Sequence, residues 1–251
     1  MIRVWLRALA GAFTFLTVLP VARAASGRGD LRHVAAFFPI VGLAIGAVLA
    51  GAAWLARGHL PHPLAAVLLV ALGAALTGGL HLDGVADLFD GLGHGGRDPR
   101  RALEIMRDSR IGAHGAVALI LLLAAKSLAV AVLLERGQLS ALAVFPAAAR
   151  GCVVPFIVAL RPARREGLGW ALHRASGPGD ALCAVLLAAA AVAAVPALGG
   201  AGLAAAALAA LLAAAACAAW ARLRLGGLTG DVHGAAIELA EAAFLIVAAR
   251  N

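Results

Sequence analysis

Asp83, Asp87 and Asp90 stand at i, i+4 and i+7 within TGGLHLDGVADLFDGLGHGG, residues 77–96, directly after an apolar run. On a helix this spacing lines the three carboxylates along one face, where they repel one another unless a cation sits among them. An all-carboxylate set selects a hard cation such as Mg2+, which commonly keeps several waters and shares its sphere with substrate phosphates. Gly78, Gly79, Gly84, Gly91, Gly93, Gly95 and Gly96 flank the cluster and let backbone approach a bulky anion closely. The rival reading is a solvated acidic loop. Carboxylates at a membrane boundary are costly to keep without purpose, and that favours a site.

Two further stretches carry compatible chemistry. In ALEIMRDSRIGAHG, residues 102–115, Glu104 and Asp108 share a helix face, with Arg107 and Arg110 on an adjacent one. Acid mixed with arginine suits a site holding metal and phosphoryl oxygens together, because arginine grips phosphate in a bidentate manner. An exposed helix with internal ion pairs, such as Arg100 with Glu104, explains the same residues. In RLGGLTGDVHGAAIELAEAAF, residues 224–244, Gly226, Gly227, Thr229 and Gly230 precede a helix that sets Asp231, Glu238 and Glu241 on one face. A glycine-rich turn at a helix N-terminus suits anion binding. Glu238 and Glu241 fall inside an apolar span, where a charged group is a functional candidate, against the alternative of an amphipathic helix lying on the membrane. Lys126 and Arg150 are isolated cations in apolar segments; either pairs with Glu238 or Glu241, or Arg150, four residues after Pro146, faces a cavity. His81 and His233, each two residues from a key aspartate, are candidates for a base or for orienting it.

The elements that must position these groups are membrane helices. The 251 residues are 63% hydrophobic with a mean hydropathy of +0.96, too apolar for an ordinary soluble domain. Stretches of about 20 apolar residues suffice to span a bilayer, and candidates fall at 34–56, 63–80, 113–134, 139–160, 180–198, 201–221 and 233–249. The fold class is therefore all-α, a polytopic helical bundle of about seven spans in one domain over 1–251. Of the 21 basic residues, 16 fall in 1–33, 81–112, 161–179 and 222–232, which alternate with the spans on one side. The positive-inside rule makes that side cytoplasmic, and it holds every carboxylate cluster. GGLHLD at 78–83 and GGLTGD at 226–231 share the form GGLxxD, an echo that chance explains in a composition this rich in Gly and Leu, and that would set two acidic turns at one level of the membrane.

The net charge of +8 is accounted for by topology; no run of five or six clustered basic residues and no aromatic interleaving points to nucleic acid. Cys152, Cys183 and Cys217 are far apart in apolar segments and read as packed, reduced thiols. The N-terminus resembles a secretory signal in having Arg3 and Arg7, an apolar stretch and Ala22-Arg23-Ala24. Against that, Arg7 interrupts the run, and Trp5, Leu6, Leu9, Phe13 and Leu16 recur at helical spacing, as in a retained or interfacial helix.

At these motifs the chain resembles the cobalamin synthase family, the adenosylcobinamide-GDP ribazoletransferases. FTFLTVLPV at 13–21, FPIVGLAIG at 38–46, residues 77–91, EIMRDSRIGAHG at 104–115 and residues 226–241 match that family's segments in order. The resemblance implies a magnesium-dependent transferase of the bacterial inner membrane that joins adenosylcobinamide-GDP to alpha-ribazole, or its 5'-phosphate, and releases GMP. It implies that Asp83, Asp87 and Asp90 hold one or two ions against the diphosphate, with Asp231, Glu238 or Glu241 completing the far side. Arg107 or Arg110 would offset the charge of departing GMP. Gly78, Gly79, His81, Glu104, Asp108, Arg150, Gly227 and Thr229 would contact substrate. Partners would be those small molecules and the lipid bilayer, with self-association or association with other cobalamin-assembly enzymes left open. A CDP-alcohol phosphatidyltransferase also aligns aspartates at helical spacing, but here Asp83-Gly84 is followed by Ala86-Asp87 with no arginine. An ion-coupled transporter would set its acids at mid-membrane, and most of these lie at the boundary.

Overall fold

The computed structural model describes residues 2–19, 31–94, 98–195 and 199–250. Ala22-Arg23-Ala24, Arg28, Gly95, Gly96 and Arg97 lie outside the described residues. The chain forms α1 (Ile2–Leu16), α2 (Phe38–Ala56), α3 (His62–Thr77), α4 (Leu80–His94), α5 (Pro99–Ile105) and α6 (Ala113–Glu135). It continues through α7 (Leu139–Ala159), α8 (Gly167–Ala175), α9 (Pro178–Ala193), α10 (Gly199–Leu225) and α11 (Gly230–Arg250). Among the described residues there is no strand, only an isolated bridge between Pro162 and Leu228. The protein is an all-helical, multi-pass membrane bundle.

Five helices, α2, α6, α7, α10 and α11, are long and apolar enough to cross a bilayer. The expected spans 63–80 and 180–198 take another form. They are the shorter helices α3 and α9, each meeting a neighbour almost at a right angle: α3 and α4 at 93°, α8 and α9 at 95°. The first bend has a local cause in Gly78 and Gly79, which adopt φ of 62° and 71°, left-handed values open to glycine at little cost. The first ends α3 as its left-handed cap. Helix α4, bearing three aspartates, thus turns away from the line of α3 and packs against α11 and α6. At the second bend, Pro178 opens α9 and Asp180 accepts the Gly177 N–H at 2.8 Å.

Helix α1 is 15 residues long, about 22 Å, and too short for a hydrocarbon core of about 30 Å. It buries Ala8, Ala12 and Leu16 against the bundle and leaves Val4, Trp5 and Leu6 exposed.

Helices α7 and α11 form the buried centre, with α2 and α9 packed on α7, and α4, α6 and α10 on α11. Helix packing in a bilayer rests on close backbone approach through small residues. Gly42 and Gly46, four residues apart on α2, provide it: a Cβ on Gly42 would lie 2.5 Å from the Pro146 carbonyl oxygen, and one on Gly46 would collide with that of Ala143.

Candidate active site

The site forms where α4 crosses the start of α11. A Cβ on Gly84 would lie 2.5 Å from the Asp231 carbonyl oxygen, and one on Gly234 would lie 3.1 Å from the His81 Cα. Two glycines facing opposite ways thus let the helices touch, and the contact sets Asp83 and Asp87 beside Asp231. The two GGLxxD turns converge as expected from their placement. Thr229 caps α11, its Oγ1 accepting the Val232 N–H at 3.3 Å and donating to Asp231 Oδ2 at 3.2 Å. The turn before it is pinned to the α7–α8 segment: Leu228 N–H donates to the Arg161 carbonyl and Ala163 N–H to the Leu228 carbonyl. A Cβ on Gly227 would lie 2.5 Å from the Arg161 oxygen, so Gly227 serves this backbone contact.

Crowded negative charge marks the junction. Burial, and then the charges of Asp83, Asp231 and Asp90, push the Asp87 carboxyl up to about 7, with Arg164 pulling the other way. A cation would offset both the burial and the mutual repulsion of these carboxylates. Their oxygen-only donors fit magnesium better than a softer metal. The carboxylate oxygens of Asp83, Asp87 and Asp231 do not all lie within 4.8 Å of one another.

Asp90 belongs elsewhere. It is buried, and its two oxygens accept the N–H groups of Gly112 at 2.6 Å and Gly115 at 2.9 Å. Asp90 therefore caps the start of α6 from a neighbouring helix, and side chains at Gly112 or Gly115 would collide with its carboxylate. His94 and His114 stand beside it, the ligating atoms of all three lying within 4.8 Å of one another.

Glu238 and Glu241 are also withdrawn from the aspartates. Lys126 Nζ lies 2.7 Å from an oxygen of each, and Arg150 Nη1 lies 2.7 Å from the other oxygen of Glu241 and 3.0 Å from the Pro146 carbonyl. All four side chains are buried. The pairing alternative therefore holds for both cations. The acids expected to complete the metal site instead form an internal ion cluster between α6, α7 and α11, because each buried charge finds its counter-charge there. Arg150 is engaged in this cluster and not at the aspartates.

The 102–115 segment splits. Glu104 pairs with Arg101 at 3.2 Å, in place of Arg100, and both are exposed. Arg107 pairs with Glu166. Arg110 grips Asp108, holding that carboxyl at about 2 chiefly through side-chain hydrogen bonds. Of these residues Arg110 borders the same cleft as Asp83 and Asp87. Sequence reasoning missed Arg164, which acts electrostatically on both Asp87 and Asp231 and donates to the Leu103 carbonyl at 2.7 Å. Its only signal was its place in the basic run RPARR.

Asp83 and Leu80 of α4 border two neighbouring cavities. One, about 570 Å³, is open and includes Gly78, Gly79, Asp87, Ser109 and Arg110. The other, about 250 Å³, reaches Asp231, Thr229, Arg164, His81 and His233, with Trp170 of α8 in its wall. Carboxylates for a cation, arginines for phosphate and adjoining space for two organic groups are the parts needed for transfer from a diphosphate.

Known proteins have similar sequences. The family profile described as Cobalamin-5-phosphate synthase matches residues 8–249. An adenosylcobinamide-GDP ribazoletransferase of Geotalea daltonii is 40% identical over 233 residues, covering 92% of each chain. Proteins of the same description from Escherichia coli and Shigella boydii are 40% identical over 238 residues, 93% of this chain and 95% of theirs. No solved structure matches. A profile match from the first helix to the last, on a chain whose acidic turns meet at one crossing, places this protein in the cobalamin-5-phosphate synthase family.

Proposed function

We propose that this chain closes the nucleotide loop of cobalamin at the inner face of the bacterial cytoplasmic membrane. It joins adenosylcobinamide-GDP to alpha-ribazole, or its 5'-phosphate, and releases GMP. The supporting observation is the meeting of Asp83 and Asp87 with Asp231 across the Gly84 contact, in a chain 40% identical to proteins named for that activity. The side is assigned from the basic residues, 16 of 21 in segments alternating toward one face.

Magnesium would be held by Asp83 and Asp87 with Asp231 opposite, and when bound it neutralises the diphosphate and the charge on departing GMP. The chain's own groups do the rest. Arg110 and Arg164 draw the phosphates toward the carboxylates, and the capped N-terminus of α11 adds the positive end of a helix dipole. A ribazole hydroxyl forms a bond to the phosphorus attached to cobinamide as the bond to the GMP oxygen breaks. The hydroxyl proton goes to a carboxylate of the cluster. Most of the acceleration comes from holding two substrates in line in a site partly screened from water.

The direct test is GMP release from adenosylcobinamide-GDP by detergent-purified protein, with alpha-ribazole present or absent and with magnesium or a chelator. Release that needs both acceptor and magnesium is expected; release indifferent to the acceptor would reduce the protein to a hydrolase and overturn the reading.

A further inference from the structure

We propose that Asp90, His94 and His114 form a site for a transition-metal cation of the zinc class, which clasps the end of α4 to the start of α6. The site is separate from the oxygen-only cluster of Asp83, Asp87 and Asp231, and it goes beyond the transferase reading without resting on it. Asp90 and His94 are four residues apart on α4, so one face of one helix presents both. His114 is the second residue of α6. Its Nδ1 lies 3.3 Å from His94 Nδ1, and His94 Nδ1 lies 3.8 Å from Asp90 Oδ1. Among the described residues this is the one group of three histidine, cysteine or carboxylate side chains whose ligating atoms all lie within 4.8 Å of one another.

Distance and donor type both fit an ion. Zinc binds imidazole nitrogen at about 2.0–2.1 Å in a tetrahedral set, whose geometry puts two such nitrogens about 3.3 Å apart. The two Nδ1 atoms have that separation. The carboxylate oxygen stands slightly farther out, 3.8 Å from His94, and a small torsion of the half-exposed His94 side chain closes the difference. Two imidazoles and one carboxylate are a known donor set of three-ligand zinc sites, in which water takes the fourth position. Nitrogen donors also favour zinc, copper or nickel over magnesium. A proton shared between the two rings is the competing account of their approach, and it predicts no metal affinity.

The surroundings prepare the three ligands. Asp90 is held in place by the Gly112 and Gly115 N–H groups, the kind of orienting hydrogen bond that accompanies a ligating carboxylate. Each of its oxygens keeps a further lone pair for an ion. Gly93 makes room for the third ligand, since a Cβ there would lie 2.5 Å from the His114 ring Cγ. Both histidines are exposed, which gives an ion and its water ligand access from solvent. The Asp90 charge offsets the positive end of α6, which would otherwise oppose a cation beside His114. Arg107 and Arg110 lie between the two histidines in sequence, so a bound ion would tie down the segment that carries them.

The test is zinc titration of the full-length protein in detergent, purified through a tag without histidine, stripped with a chelator and kept in magnesium. Competition against a chromophoric chelator should show one zinc bound per chain, and zinc should raise the melting temperature. His94→Gln and His114→Gln, both at exposed positions, should each weaken zinc by more than about tenfold, because losing even a residue that only orients a ligand costs about 10–100-fold. Asp83→Asn in the magnesium cluster and His59→Ala in the α2–α3 turn should leave zinc affinity within about twofold of the parent. On the unsubstituted chain, where variant folding plays no part, X-ray absorption at the zinc edge should show two imidazole ligands. Failure of that chain to hold zinc against the chelator, fewer than two imidazoles at the edge, or unchanged affinity in either histidine variant would overturn the site and leave a hydrogen-bonded histidine pair. None of these outcomes bears on acceptor-dependent GMP release, which tests the transferase reading by itself.

Discussion

Replacing Asp87 with asparagine should stabilise the metal-free protein and abolish turnover. The carboxyl titrates at about 7 against an ordinary 3.8. Each unit of displacement corresponds to about 1.4 kcal/mol between protonation states, so the full shift would be worth roughly 4 kcal/mol. Asp87 is only half buried, and solvent screening reduces this to about 1–2 kcal/mol. The sign follows from proton linkage. Between pH 3.8 and about 7 the folded carboxyl keeps a proton that the unfolded chain has released, so folding loses stability as pH rises through this window. The penalty is absent below it and complete above it. Asparagine carries no charge and escapes it. Thermal unfolding in detergent with a chelator should therefore show Asp87→Asn melting above the parent chain at pH 8, with the gap closing toward pH 5. Adding magnesium should reverse the order at pH 8, because the parent chain gains a bound ion and the variant loses a ligand. A variant that melts below the parent without metal, or that turns over near normally, would refute the placement of Asp87 in a crowded cation site.

Three other perturbations probe separate parts of the structure. Gly84→Ala sets a methyl 2.5 Å from the Asp231 carbonyl oxygen, and the resulting separation of α4 from α11 should lower kcat on the order of a hundredfold; activity within twofold of the parent would refute the close crossing. Lys126→Met leaves Glu238 and Glu241 without their shared cation, at about 3–5 kcal/mol, seen as a large drop in melting temperature that adding Glu238→Gln should partly recover. Asp90→Ala strands the Gly112 and Gly115 N–H groups and should cost about 2 kcal/mol, while magnesium titration of the variant stays close to that of the parent. Loss of magnesium binding there would return Asp90 to the metal site.

What was legible in the sequence, and what was not, follows from helix geometry. One-letter spacing shows which residues share a face but not which neighbour that face meets at each depth. Asp83 and Asp87 are one turn apart, so their common stripe was enough to pair them, and the repeated GGLxxD turn brought Asp231 to the same level. Seven residues along a helix is about 10 Å, and ten residues about 15 Å. Asp90 therefore reaches the start of α6 while Asp83 faces the cavities, and Glu238 and Glu241 lie deep enough on α11 to meet α6 and α7 in place of α4. A single magnesium ion, with ligands about 2 Å away, cannot gather carboxylates spread over that length. Arg164 shows the opposite difficulty: its position depends on Leu228 pairing with the Arg161–Ala163 backbone, a contact between segments far apart in sequence that no local periodicity encodes. The bends at Gly78 and Gly177 likewise turned two expected spans into crosswise pairs, and the first bend is what turns α4, with its aspartates, onto the start of α11. A continuous 63–94 helix would have carried Asp83 and Asp87 away from Asp231, so the bend that departs most from the hydropathy pattern is also the one the site depends on.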